Sequence, residues 1–336
     1  MLATTLVLCV LSFSGAHNIW PIPRSIALGD DLQKLSAEVI TESSSERLAR
    51  CIQKYNFKSS TAHGDSYSSI VVNVKNDDET LSQSTDTSFS IDANINSIVT
   101  ISSLTPYGAC YGLDVLSQLV STSDDGSLLL PSTISIEDAP SYNHRGFMID
   151  TGRRFVPLDV IFSNLDAMFM SRLNVLHLHF ADWCRYAIES KAFPALTANL
   201  VDDQAGHYTL EEVSKMISYA NDRGIRVMPE VDLPGHGTWG LPLMETGDLK
   251  FCTSSYPFSI LDDGNNVSVE TLKTLISEVA EVFGEEELFH IGADETATND
   301  DEGCTMANIK GIEGKVFNHI IDSKKTPVGW EEVRRG

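Results

Sequence analysis

Hydrophobic and polar residues alternate through the first third of this chain and gather into solid apolar blocks afterwards. Between residues 20 and 140 the alternation in stretches such as YSSIVVNV at 67–74 and FSIDA at 89–93 predicts half-buried antiparallel strands. Tyr111, Leu113, Val115, Leu116 and Leu119 recur near helical spacing across 106–120, so a helix is expected to pack on those strands. Beyond Tyr142 the texture changes. Apolar runs at 147–150, 174–180, 226–231, 288–291 and 327–330 are separated by amphipathic stretches at 158–170, 210–223 and 269–283. Solid apolar strands with helices between them imply a parallel sheet covered on both faces.

A doubly wound sheet and a (β/α)8 barrel both fit that alternation, and the polar residues separate them. Each run ends in ionisable or hydrogen-bonding side chains, which is how a barrel assembles one site from many strand ends. No Gly-x-Gly-x-x-Gly follows any run, so a dinucleotide fold would lack its phosphate cradle. The expected fold class is α/β, a TIM-type (β/α)8 barrel preceded by a small α+β domain. Five barrel strands can be counted where eight are needed, so the barrel is expected to be incomplete in this chain. The expected boundaries are a leader at 1–16, the α+β domain at 17–140 and the barrel at 141–336.

Charge removes several partners from consideration. With 47 acidic residues against 24 Lys and Arg, the net charge of −23 disfavours nucleic acid and anionic membrane surfaces, which need clustered cations. The apolar run LATTLVLCVL at 2–11 followed by Ser14, Gly15 and Ala16 reads as a secretory signal. It is too short to span a bilayer, and no later segment approaches the roughly 20 apolar residues a span requires. The expectation is the secretory pathway, with a lysosomal or vacuolar or an extracellular destination. Five cysteines follow the leader (Cys51, Cys110, Cys184, Cys252 and Cys304), which permits two disulfides with one thiol left over. Asn266-Val267-Ser268 is the single glycosylation sequon.

The residue pair that most needs a chemical explanation is Asp294-Glu295, directly after the run at 288–291 and Gly292. Two adjacent acids repel each other and add nothing to a core. In a regular strand they would point to opposite faces, so they can converge on one ligand only where the chain is leaving the strand, which Gly292 eases. Collected by strand, the other candidates are Arg145, His177, His179, Asp182, Glu230, Asp232, His236 and Trp330. Carboxylates and His for hydroxyls, an aromatic face for a pyranose and an acid for a leaving oxygen suit a sugar site. His177, His179 and Asp182 also admit a metal reading, but no His-Glu-x-x-His occurs, and a buried structural role is the plainer account of His177. No metal and no cofactor are expected.

Four ordered blocks carry a resemblance: NHRGFMIDTGRR at 143–154, NVLHLHFAD at 174–182, YANDRGIRVMPEVDLPGH at 219–236 and HIGADE at 290–295. Together they resemble the family 20 β-N-acetylhexosaminidases, and the resemblance covers the chain from about Trp20 onward. It implies an exo-acting glycosidase that releases terminal non-reducing GlcNAc or GalNAc from glycoconjugates or chitin oligomers. It also implies a retaining mechanism in which the substrate's own acetamido oxygen is the nucleophile. Glu295 would be the acid and base, and Asp294 would orient the acetamido group. By the same resemblance Arg145 would grip sugar hydroxyls, Asp182 and His236 would support the site, and Trp330 would wall the acetamido pocket. A Cys252–Cys304 disulfide is implied, with Cys51–Cys110 as a second pairing.

The chain also departs from the family pattern. Trp183 and Cys184 stand where a second Asp and a Gln are common, and Ala293 replaces a common Gly, a change tolerated unless that position requires φ > 0. A further Tyr, Trp and acid that close the family's pocket lie beyond the five strands. The alternative reading is therefore a catalytically inactive carbohydrate-binding relative, or an inactive fragment of such an enzyme. A carbohydrate is the expected partner, and a homodimer is left open.

Overall fold

A computed structural model describes residues 19–59, 66–94, 98–198, 206–254, 256–262, 264–296, 298 and 304–335. The leader expected at 1–16 lies outside them. The chain divides into two compact units. One comprises the residues up to Ser44 with Ile52–Asn76 and Thr87–Ala139, the other Ser45–Cys51, Asp77–Asp86 and Pro140–Gly336.

The first unit is an eight-stranded sheet formed by β1 (Ser25–Leu28), β2 (Leu32–Thr41), β3 (Ser66–Val74), β4 (Phe89–Ala93), β5 (Val99–Ser103), β6 (Ser121–Thr122), β7 (Leu128–Pro131) and β8 (Ile134–Asp138). The spatial order is β1-β8-β4-β5-β3-β2-β7-β6. The expectation of antiparallel strands holds for β4, which is antiparallel to both β5 and β8, and is corrected for β3, which pairs with β2 and β5 in parallel. Alternation reports that one face is buried and says nothing of the neighbour's direction. Leu35, Ile70, Ile91, Ile101 and Ile136 fill the buried face. The helix Pro106–Leu119 lies against it, started by Pro106 and by Thr105, whose hydroxyl accepts from Gly108 N. Gly108 and Gly112 let it approach closely, since a Cβ there would stand 2.4 Å from Ser88 O or 2.6 Å from Ile101 Cγ2.

The second unit carries five parallel strands in chain order: β9 (Gly146–Asp150), β10 (Val175–Asp182), β12 (Arg226–Val231), β15 (Leu288–His290) and β16 (Thr326–Val328). A two-residue strand, β11 (Arg185–Tyr186), turns back antiparallel on β10, and β13 (Lys250–Cys252) pairs with β14 (Ser259–Leu261) as a separate ribbon. Five parallel strands in sequential order, the first four each followed by helix, make the expected incomplete (β/α)8 barrel, a curled half-barrel. Every residue of β10 and β12 is buried, whereas Phe147 and Met148 on β9 are 44% and 42% exposed. Solid apolar runs are therefore covered on both faces only at the centre of the sheet.

The helices Leu158–Met170, Leu210–Asn221 and Val267–Val282 fall where the periodicity predicts them. Leu210–Asn221 begins with a capping box, in which Thr209 Oγ1 accepts from Glu212 N and Glu212 Oε2 accepts from Thr209 N. A further helix, Met306–Asp322, was not anticipated from the pattern. Its buried stripe of Ile309, Ile312, Val316 and Ile320 has helical spacing, but Gly311 and Gly314 lower the local propensity by about 1 kcal/mol each. Burial of that stripe against the sheet decides the matter, at roughly 1.5–3 kcal/mol for each large aliphatic side chain. The Cys252–Cys304 disulfide, with Cα atoms 5.7 Å apart, ties the end of β13 to the start of this helix. Cys51 and Cys110 are also in the disulfide form, and Cys184 is a half-buried thiol.

Candidate active site at the carboxyl ends of the barrel strands

The parallel strands bring their carboxyl ends to one side, and the ionisable residues form two layers there. The lower layer surrounds Glu230 on β12, whose side chain is wholly buried. His177 Nε2 stands 2.5 Å from Glu230 Oε2, His179 Nδ1 stands 2.7 Å from the same oxygen, and His290 Nδ1 stands 3.1 Å from Oε1. The strand register produces this arrangement: His179 pairs with Glu230, and Glu230 in turn with His290. Burial alone would raise the Glu230 carboxyl, but the three imidazoles outweigh it and hold the group well below the usual carboxylate range. Burial pushes His177 down. It also opposes the charge on His179, yet hydrogen bonds to Asp182 and Glu230 raise His179 to about 10.

His177, Glu230 and His290 lie close enough together to suggest a shared metal ion. The 2.5 Å contact is nonetheless a direct ion-pair distance, shorter than the ~3.3 Å that separates two ligands on one tetrahedral zinc. The cluster fits a proton-linked knot better than a metal centre.

The upper layer contains Asp182, Asp232, His236, Asp294 and Glu295. Asp182, buried at the end of β10, meets His179 Nε2 at 2.6 Å and Arg153 Nη2 at 3.0 Å, and its Oδ1 accepts from Trp183 N. Replacing a second Asp and a Gln by Trp183 and Cys184 therefore leaves Asp182 anchored through other groups. After β12 the chain turns at His236, held at φ +50. A non-glycine residue in the left-handed region marks local strain, and at a cleft such strain points to function. His236 Nδ1 is 2.7 Å from Asp232 Oδ2 and its Nε2 is 3.2 Å from Glu295 Oε2, so one ring links the β12 acid to the acid beyond β15. The Asp232 hydrogen bond raises His236 to about 9, while burial beside Asp294 and Glu230 pushes Asp232 up to about 7.

The two adjacent acids leave the strand as their sequence suggested. β15 ends at His290, and Gly292, Ala293 and Glu295 all take positive φ, at +66, +65 and +46. Gly292 is obligatory here, since a Cβ would fall 1.9 Å from Asp232 Oδ1. Ala293 meets the condition under which loss of a glycine is not free, because its φ lies in the left-handed region. The turn separates the pair's surroundings. Asp294 is half-buried, its Oδ1 is enclosed with no hydrogen-bond partner among the described residues, and burial raises its carboxyl. Glu295 keeps 74% of its side chain exposed, beside a cavity of about 370 Å³ lined by Thr296, Met306, Ile309 and Lys310. Trp330, after β16, donates its N–H to Gly292 O and sets its ring 4.7 Å from that of His290.

One predicted residue is not brought to this place. Arg145 precedes β9, at the amino end of the strand, where its guanidinium donates to the carbonyls of Arg172 and Tyr142. Arg153, beyond the carboxyl end of β9, occupies the position expected of it, with Nη1 2.8 Å from Asp150 and Nη2 3.0 Å from Asp182. The barrel rule already favoured Arg153, since functional groups collect where strands end. His290 was also passed over, although its place two residues before Gly292 carried the signal. Asn266 is exposed at the start of helix Val267–Val282, where its Oδ1 accepts from Lys315 Nζ.

Comparison with known proteins agrees with this geometry. Residues 142–335 match the glycosyl hydrolase family 20 catalytic domain. A β-hexosaminidase of Emericella nidulans is 32% identical over 243 residues, covering 68% of this chain and 40% of that protein. The β-hexosaminidase subunit alpha of Bos taurus is 37% identical over 195 residues, covering 57% of this chain and 36% of its own length. The crystal structure of a Flavobacterium johnsoniae chitobiase superposes with a TM-score of 0.75 at 26% identity, over 93% of this chain and 52% of that one. The chain spans about half the length of the curated relatives it matches. With more than half of its residues in the family's catalytic domain and five of the barrel's strands in sequential order, the chain belongs to glycosyl hydrolase family 20.

Proposed function

We propose that the protein of which this chain is part is an exo-β-N-acetylhexosaminidase. It removes terminal GlcNAc or GalNAc from glycoconjugates or chitin oligomers, with retention of configuration. The observation that carries this reading is the unsatisfied Oδ1 of Asp294, half-buried one residue from an exposed acid. A buried acceptor lacking a donor suits a ligand N–H, and the acetamido group of an N-acetylhexosamine offers one. Held by that bond, the acetamido oxygen can attack the anomeric carbon, and ionised Asp294 stabilises the positive charge that develops on the ring so formed. Glu295 donates its proton to the departing glycosidic oxygen and afterwards takes one from the attacking water. His236, between Asp232 and Glu295, orients that carboxyl. Arg153 offers a donor for sugar hydroxyls, in the role first expected of Arg145, and the buried Asp182 supports it from beneath. Trp330 supplies the aromatic wall.

The leader, the disulfides and the sequon at Asn266 together support passage through the secretory pathway to a lysosomal, vacuolar or extracellular site. No helix among the described residues is long and apolar enough to cross a membrane.

Turnover of an aryl N-acetyl-β-glucosaminide tests the assignment. Glu295→Gln is expected to lower kcat by about 10³-fold or more while leaving the melting temperature unchanged, because its side chain is mostly exposed. Full activity in that variant would overturn the role of Glu295. Sugar binding without turnover by the unaltered protein would favour the inactive, carbohydrate-binding reading.

A further inference from the structure

His179 stands between two buried acids. Its Nε2 is 2.6 Å from Asp182 Oδ2 and its Nδ1 is 2.7 Å from Glu230 Oε2, with 3% of its side chain exposed and none of either acid's. A neutral imidazole has one N–H and one bare lone pair, and a carboxylate offers only lone pairs. The Nε2 contact is a hydrogen bond and the Nδ1 contact an ion-pair distance without hydrogen-bond alignment. A neutral ring would therefore leave two carboxylates within 2.7 Å of it uncompensated, in a site without solvent to soften the repulsion between them. A proton on each nitrogen removes the conflict. Moving the second proton to Glu230 would leave His179 neutral, but the surrounding charge opposes this. His177 and His290 also approach Glu230, Asp150 on β9 favours a cation at His179, and Asp232, just after β12, lies close to it, with Arg153 and His236 the opposing positive groups.

We infer that His179 is a standing imidazolium that bridges Asp182 to Glu230, and that it is a positioning residue for sugar binding, holding Asp182 against Arg153 in the pocket floor. The protonation rests on the two carboxylate contacts and the charges around the ring, whereas the consequence for sugar binding rests on the glycosidase reading. His179 is raised well above the usual histidine range, in the direction the bridge requires.

Two measurements separate these claims. In the full chain labelled with 15N at its histidine rings, both nitrogens of His179 are expected in the protonated range from about pH 5.5 to about pH 8.5, without a titration step. A pyridine-type nitrogen at neutral pH, or a midpoint below about pH 8, would overturn the bridge, as would loss of a ring proton on adding equimolar zinc. This measurement needs no activity and no variant. For the second claim, His179→Gln is expected to raise KM for the aryl glycoside by about tenfold and to change kcat by less than about threefold. An unchanged KM in a folded His179→Gln protein would sink the positioning role. A wild-type protein that shows the doubly protonated ring but no hydrolysis would instead count against the glycosidase reading and leave the bridge standing.

Discussion

The floor of the half-barrel and its mouth use the same residue types to opposite ends. At the floor, Glu230 meets three imidazoles within 3.1 Å and is held far on the ionised side. At the mouth, Asp294 keeps an enclosed oxygen without a donor among the described residues, and its carboxyl is raised. Burial pushes both carboxyls upward, so burial alone cannot explain the difference. The partners do. Glu230 is compensated by the imidazoles at ion-pair distance and serves the fold, whereas Asp294 Oδ1 has no such contact among the described residues, which suits a site completed by its ligand.

The sharpest way to break this comparison is to exchange stability for function between the two acids. Glu230→Leu removes the counter-charge of His179 from a site without water, and breaking such a pair from one side costs about 3–5 kcal/mol. Asp294→Asn removes a half-buried charge that His236 offsets only through space, so denaturation should show a change below about 1 kcal/mol, while aryl glycoside turnover falls by about 10²–10³-fold. Similar losses of stability in both variants, measured by urea unfolding, would show that the two acids do the same job.

pH offers a second test, of intermediate size. His179, raised to about 10, and His236, raised to about 9, bind their protons more tightly in the folded chain. Their contribution is fully present below the ordinary histidine value of 6.5 and is lost as the pH rises through 9 and 10. Asp232, raised to about 7, adds to the same decline between 3.8 and 7. Glu230 is lowered, so its contribution is present above 4.5 and lost on acidification, and His177, lowered by burial, also weakens the fold below 6.5. Thermal melts should therefore peak in mildly acidic buffer and fall by several degrees toward about pH 9. A melting temperature that rises over that range would contradict the charge assignment of both layers.

How much of this was legible in sequence follows from what each signal measures. Barrel strands and most helices were readable because apolar runs and 3.6-residue stripes report burial directly. The direction of β3 against its neighbours was not, since alternation carries no information about the adjacent strand. The pair at Asp294 and Glu295 was readable because Gly292 marks the exit from the strand. Arg145 and Arg153 sit in one block eight residues apart, and only the direction of β9 decides which of them reaches the mouth. The knot around Glu230 needed the strand register, which places His179 and His290 beside it from distant segments.

The mouth also carries a strain that the floor lacks, and this gives the smallest effect. Ala293 sits at φ +65 between Gly292 at φ +66 and Asp294, with its N–H donated to Asp232 Oδ1 at 3.3 Å. Its methyl group is buried, so it contributes some packing, but the left-handed conformation costs an L-residue about 1–2 kcal/mol. Against this, glycine gains freedom in the unfolded chain and so loses about 0.5–1 kcal/mol of stability. The balance predicts that Ala293→Gly stabilises the protein by up to about 1 kcal/mol, readable as a small upward shift in a urea midpoint with the slope unchanged. Because the same N–H fixes Asp232 beneath His236, relaxing the strain should leave the pH dependence of melting as it was. A destabilised Ala293→Gly protein would mean that the methyl contact outweighs the backbone, and that the turn carrying Asp294 and Glu295 is held by packing rather than against strain.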